Sequence, residues 1–113
     1  MNPGGQTPEE LETLLEDACL LRDSAALAGL FEEDGLLVRA ALQSRGRAEI
    51  ARACSLIWDP GDDYLAETNR IFQARRTVLI IGDNATSVAT RGCDGTWRYA
   101  ISVHSITCTR RQK

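Results

Sequence analysis

Asp94-Gly95-Thr96-Trp97-Arg98-Tyr99-Ala100-Ile101-Ser102-Val103-His104 joins a turn dipeptide to a long strand carrying two aromatics at alternate positions. The segments before it, from Tyr64 onward, also read as strands, near Tyr64–Gln73, Thr77–Ile81 and Ala85–Arg91. They are joined through Gly82-Asp83-Asn84 and Gly92-Cys93-Asp94-Gly95, residues that tolerate left-handed turns. The last strand is predicted over Thr96–Thr107. Helical periodicity dominates the first half, so the predicted class is α+β: three N-terminal helices covering one face of a curved antiparallel sheet.

Working back from the meander, Thr7-Pro8-Glu9-Glu10 is a capping box with proline at the first helical position. Leu11, Leu14, Leu15, Ala18 and Cys19 follow at three- and four-residue steps, which places Glu12, Glu16 and Asp17 outside the apolar stripe. A second helix is predicted from the Asp23-Ser24 cap, with Leu27, Leu30 and Phe31 buried and Gly35 as its stop after Glu32-Glu33-Asp34. Leu36–Ala40 reads as the first strand and Gln43-Ser44-Arg45-Gly46 as a loop. The third helix buries Ile50, Ala51, Cys54, Ile57 and Trp58 and ends at Asp59-Pro60-Gly61. Val78-Leu79-Ile80-Ile81 is apolar on both faces, and a strand wet on one side should alternate. A second copy of the chain is the economical cover for the face the helices leave bare.

At 113 residues, 43% of them hydrophobic, one domain is expected to bury about 60–70% of its unfolded surface. Its limits are read as a flexible tail over residues 1–6, the domain over 7–107 and a C-terminal tail over 108–113. The net charge is −3; residues 1–36 hold nine acids and one base, and the rest twelve bases and seven acids. No basic stripe results, which argues against a nucleic-acid partner; Arg75-Arg76 and Arg110-Arg111 read as solvated strand ends. The four cysteines form no C-x-x-C pair, so no zinc site or metal centre is written here and reduced thiols are expected. Met1–Gln6 has neither a basic patch nor an apolar run, and no segment approaches the length of a membrane span. The expectation is a cytoplasmic protein without membrane contact.

The order helix, helix, strand, helix, meander, with Leu27–Phe31 and its acidic turn, Gly46–Ile50, Gly82-Asp83 and Asp94-Gly95-Thr96-Trp97-Arg98, resembles the nuclear-transport-factor-2-like superfamily, and more narrowly its SnoaL-like branch. The resemblance covers nearly the whole chain. It implies a cone-shaped domain with a pocket between helices and sheet, and a homodimer. Isomerases of that superfamily use a tyrosine on the first helix, an aspartate base at the end of the first strand and an acid on a later strand. Here Leu15, Arg39 and no clear acid stand at those places, and Ile101, Ser102 and Val103 occupy positions that relatives fill with Asp or His.

Residues expected at the pocket are Leu15, Phe31, Val38, Trp58, Tyr64, Asn69, Ser102 and His104. His104, the only histidine, is the one side chain with an ordinary pKa near neutrality and so the one candidate catalytic base. Strict alternation puts it with Arg98, Ala100 and Ser102, opposite Trp97, Tyr99, Ile101 and Val103. The plainer reading is a polar residue near a strand end, as no acid partner is evident. Trp58 and Tyr64 bracket an acidic loop and read as core-closing aromatics or a pocket rim. Asp62-Asp63 offers too few oxygens for a metal site. The functional expectation is a domain that binds a small, largely apolar molecule without a cofactor, with acid/base chemistry on a polyketide, steroid-like or other carbonyl compound as its enzymatic use. The alternative is a non-catalytic dimerisation or binding module with a filled cone.

Overall fold

The structure, a computed structural model, describes residues 4–39, 42–57, 68–83 and 85–104. Three helices, α1 (Pro8–Leu20), α2 (Ser24–Gly29) and α3 (Arg47–Ile57), accompany six strands: β1 (Phe31–Arg39), β2 (Leu42–Arg45), β3 (Thr68–Ala74), β4 (Thr77–Gly82), β5 (Ala85–Arg91) and β6 (Trp97–His104). The sheet order is β2-β1-β6-β5-β4-β3. It is mixed, because β1 runs parallel to β6 while all other neighbours are antiparallel. The expected all-antiparallel sheet is corrected at this one pair. Nor do all the helices precede the sheet, since α3 falls between β2 and β3.

The Thr7 side chain caps α1 by accepting from Glu10 N at 3.0 Å. Glu10 reaches back one residue further than a standard box, accepting from Gln6 N. Asp23 caps α2 through Ala26 N at 3.0 Å. That helix stops at Gly29, six residues before the expected stop, and Phe31 to Arg39 is a strand. The acidic run therefore lies in β1, where the pairing with β6 jumps from Phe31↔Tyr99 to Leu36↔Ile101 and Glu32–Gly35 bulge between. Gly35 serves the bulge: a Cβ there would meet Phe31 Cβ at 3.0 Å and Glu32 O at 3.1 Å. Glu32 accepts a hydrogen bond from the Thr90 hydroxyl at 2.8 Å.

Gln43-Ser44-Arg45, expected as loop, forms edge strand β2 with Leu37↔Ser44 in register. Gly46, at φ +87°, then turns the chain into α3, whose Glu49 carboxylate accepts from Arg45 N at 2.9 Å. β3 and β4 close through Arg75-Arg76, so this pair is a two-residue turn; Arg76 donates to the carbonyls of Arg91 and Gly92 at 3.2 and 2.7 Å. β6 ends at His104, and the predicted extension to Thr107 lies outside the described residues, as do Trp58 and Tyr64. Gly5, placed by sequence in a flexible tail, is buried and exchanges two backbone hydrogen bonds with Trp97, at 3.0 and 2.7 Å.

α1 packs on β6 and α3 on β1 and β2, and the core between them holds Leu11, Leu15, Leu27, Phe31, Ile50, Val78, Ile80, Trp97 and Tyr99. Cys19, Cys54 and Cys93 are not in disulfides, the first two buried and the third exposed. No described helix is long and apolar enough to cross a membrane.

Candidate functional site

Where β6 meets β5, Val88 pairs with Ile101 but Ala89 pairs with Tyr99, which leaves Ala100 as an extra residue on β6. Such a bulge reverses the alternation beyond it. Trp97 and Tyr99 before it, and Ser102 and His104 after it, consequently share the inner face; Ile101 and Val103 turn outward. The strict alternation read from sequence, which set His104 opposite Tyr99, is corrected by this single residue.

The inner face changes character along its strands. At one end Tyr99 and Phe31 contact each other with ring centroids 5.3 Å apart, and Trp97, Leu11, Leu15 and Val78 fill the space around them. The Tyr99 hydroxyl donates to Glu12 Oε2, so Glu12 lies buried within the core rather than outside the helix stripe. A long acidic side chain can cross an apolar stripe when a buried donor waits for it, and residue type alone does not announce the donor. Tyr99→Phe should cost about 2 kcal/mol, the scale of leaving a buried acceptor without its donor. Denaturant midpoints of the two proteins measure it.

At the other end small and polar side chains are interspersed with Ile80, Leu37 and Leu42. One row across the strands runs Ile80, Ser87, Ser102, Leu37, Ser44, and the next runs Ala85, His104, Arg39, Leu42. Ser87 and Ser102 share a hydrogen bond at 2.8 Å, and both are buried. His104 Nε2 is shielded from solvent although the residue as a whole is half-buried. Burial, followed by the nearby Arg39 guanidinium, pushes the imidazole down from 6.5 to about 4. Burial pushes the Cys54 thiol of α3 up to about 11, against a smaller opposing effect of Arg39. At neutral pH the imidazole is unprotonated and the thiol protonated. The conjugate acid of His104 is then too strong for efficient proton abstraction near pH 7, and Cys54 is no thiolate nucleophile. Among the described residues, the Arg39 guanidinium thus stands beside neutral hydrogen-bonding groups. Among the described residues no cluster of three or more His, Cys, Asp or Glu side chains could hold a metal ion.

Of the residues expected at the pocket, Ser102 and His104 come together on this face, while Leu15 and Phe31 are wholly buried in the core at the aromatic end. Val38 alternates with buried Leu37 and pairs with outward Val103, so it faces away from the interior. Asn69 is exposed and donates to Asp83 Oδ1 at 2.8 Å, binding the ends of the β3–β4 hairpin. Arg39, Cys54 and Ser87 were not singled out as pocket residues. For Arg39 and Ser87, only their register against His104 and Ser102, which depends on the bulge and on the parallel β1–β6 pair, reveals them; Cys54 is brought near Arg39 by the packing of α3 on β1.

This architecture recurs in solved structures. A ketosteroid isomerase-like protein from Erwinia carotovora atroseptica superposes with a TM-score of 0.76 at 16% identity, covering 86% of this chain and 91% of that one. A putative calcium/calmodulin-dependent protein kinase type II association domain from Thiobacillus denitrificans gives 0.74 at 20% identity, with 91% and 97% covered. An NTF2-like protein of unknown function from Pseudomonas putida gives 0.67 at 16% identity, with 86% and 82% covered. The fold is NTF2-like. No family model and no curated protein sequence matches the chain. At these identities the likeness is one of fold, and an NTF2-like fold carries many unrelated activities.

Proposed function

We propose that the protein is a SnoaL-like member of the NTF2-like group that binds a small, largely apolar molecule on the concave face of its sheet, with binding rather than proton transfer as its principal role. The carrying observation is the division of that face: bulky side chains pack one end, whereas Ala85, Ser87, Ser102 and Ser44 line the other beside Arg39 and His104. A few convergent polar groups suffice to orient an apolar ligand. Leu15 and Arg39 at the isomerase positions, together with a histidine that ordinarily stays neutral, support binding over acid/base turnover. The experiment is a thermal-shift screen of hydrophobic carbonyl compounds, followed by turnover assays of the binders. His104→Gln should weaken binding more than it changes any turnover. Robust turnover abolished by that substitution would make this an enzyme with a histidine base. A complete absence of binders would favour the filled-cone dimerisation module.

A second part of the proposal concerns assembly. Phe72↔Leu79, Leu79↔Val88, Val88↔Ile101 and Leu36↔Ile101 are successive register pairs, forming one apolar row across five strands on the outward face. Phe72, Leu79, Ile101 and Val103 are 50%, 38%, 41% and 44% exposed in the single chain, and contiguous apolar surface of this kind marks an interaction site. A homodimer through the sheet, burying on the order of 1,200 Å² or more in total, would cover it. Leu79→Lys should yield monomer or aggregate. A concentration-independent monomer of the unmodified protein in sedimentation would sink the dimer.

A further inference from the structure

The β3–β4 turn places Arg75 and Arg76 at one end of the sheet, and β5 delivers Arg91 to the same place, where Arg91 N donates to Arg76 O at 2.9 Å. The Arg76 side chain returns the contact, donating through Nε to Arg91 O at 3.2 Å and through Nη2 to Gly92 O at 2.7 Å. These bonds orient its guanidinium without neutralising it. Arg91 lies over the Trp97 ring with its guanidinium carbon 5.7 Å from the centroid, a contact that likewise leaves its charge in place. Among the described residues no carboxylate is ion-paired with Arg75, Arg76 or Arg91. Asp94, the acid of the neighbouring turn, is taken by Arg98 at 2.7 Å and by Thr96. Nη1 of Arg76 and the guanidiniums of Arg75 and Arg91 make no hydrogen bond among the described residues, and all three side chains are exposed. Arg75 also has φ +59°, at the first central position of a two-residue turn, where a positive φ ordinarily selects glycine. A long cation kept in a conformation that disfavours it points to a use for its side chain.

We propose that this end of the sheet binds a small anion carrying two linked phosphoryl groups, gripped by the guanidiniums of Arg75, Arg76 and Arg91. Neighbouring strands lie about 4.8 Å apart, so three guanidiniums at adjacent strand ends present a row of donors wider than one phosphate. One phosphate carries at most about two negative charges, fewer than the three cations, whereas a linked pair of phosphoryl groups matches both the charge and the width. The planar arginine fork suits such oxygens. Attraction has to be local, because the chain as a whole carries a net charge of −3 and its overall field repels a polyanion. The site lies beside Trp97, away from Ser102 and His104, and does not depend on the small-molecule reading above.

The test titrates pyrophosphate and orthophosphate into the full chain at pH 7 and constant ionic strength, followed by calorimetry and by amide NMR. Pyrophosphate should bind at least about ten-fold more tightly than orthophosphate, and its shifts should centre on residues 75–77 and 91–92 and on the Trp97 indole. Arg91→Gln should weaken pyrophosphate at least about ten-fold. Arg70→Gln, which alters an exposed arginine toward the other end of β3, should change it less than about two-fold. Arg75→Gly separates binding from folding: it removes the side chain from a positive φ, so the thermal midpoint should rise while pyrophosphate affinity falls. Equal affinity for the two anions, shifts scattered over the surface, or equal losses in Arg70→Gln and Arg91→Gln would reduce the effect to unspecific ionic attraction and overturn the site. Unchanged affinity in both Arg75→Gly and Arg91→Gln, or no saturable binding of pyrophosphate to the unmodified chain, overturns it as well.

Discussion

Trp97→Ala is expected to lower the stability of the folded chain by about 3–5 kcal/mol, the range for deleting a buried aromatic. The indole is only 3% exposed and belongs to the core cluster with Leu11, Phe31 and Tyr99. Three features fix it there. Its backbone is bonded on both sides to Gly5, Arg91 stacks with its guanidinium carbon 5.7 Å from the ring centroid, and the Asp94-Gly95-Thr96 turn delivers it in place. In that turn Asp94 accepts from Thr96 N at 3.1 Å, from the Thr96 hydroxyl at 2.7 Å and from Arg98 at 2.7 Å, leaving Gly95 to take the positive φ of +81°. Arg91→Ala serves as the control, since an exposed cation–π contact contributes only about 0.5–1 kcal/mol. Urea midpoints for the two substitutions separate core from surface. A loss below about 1 kcal/mol for Trp97→Ala would mean that the indole is not a core residue.

The same strand shows what could be read from the sequence and what could not. Asp-Gly followed by alternating aromatics is a local signal, and the turn and the start of β6 stand where it puts them, with Trp97 and Tyr99 buried together. The caps of α1 and α2 were equally legible, because a side chain reaching a backbone N–H three residues away depends on sequence alone. Long-range pairing is a different matter. Nothing near Ala100 marks it as an extra residue; the bulge exists because Tyr99 must meet Ala89 and Phe31 while Ile101 meets Val88 and Leu36. One unrecognised residue flips every later side chain, which is how a period of two turns a small error into a wrong face for His104. The second helix was overextended for a related reason: Leu27, Leu30 and Phe31 fit a helical stripe, but Phe31 is buried just as completely by pairing with Tyr99 in the sheet. Tertiary pairing also converts Gly35 from an apparent helix stop into the tight point of a bulge. The Arg39–His104 neighbourhood required both the bulge and the parallel β1–β6 pair, so the candidate site was less legible than the fold that builds it.

His104 gives the second large effect, a loss of about 3 kcal/mol of stability between neutral pH and pH 4. In the unfolded chain the imidazole takes up its proton near 6.5, whereas burial and Arg39 hold the folded-state value at about 4. Above about 6.5 both states are unprotonated and the group is neutral toward stability. As pH falls below 6.5 the unfolded chain binds a proton that the folded chain refuses, so stability declines until the folded imidazole is protonated too, near 4. Asp94 works in a lower window: the hydrogen bond from Arg98, then those from Thr96, hold its carboxyl well below the usual range, and the stability this supplies is lost only below about pH 4. Urea denaturation at pH 7, 5.5 and 4.5 therefore isolates the histidine, and His104→Gln should flatten most of the decline across those three points. A profile in which the variant declines as steeply as the unmodified protein would place the acid sensitivity elsewhere. An NMR-detected pKa near 6.5 in the folded state would mean that the imidazole is not buried beside a cation at all.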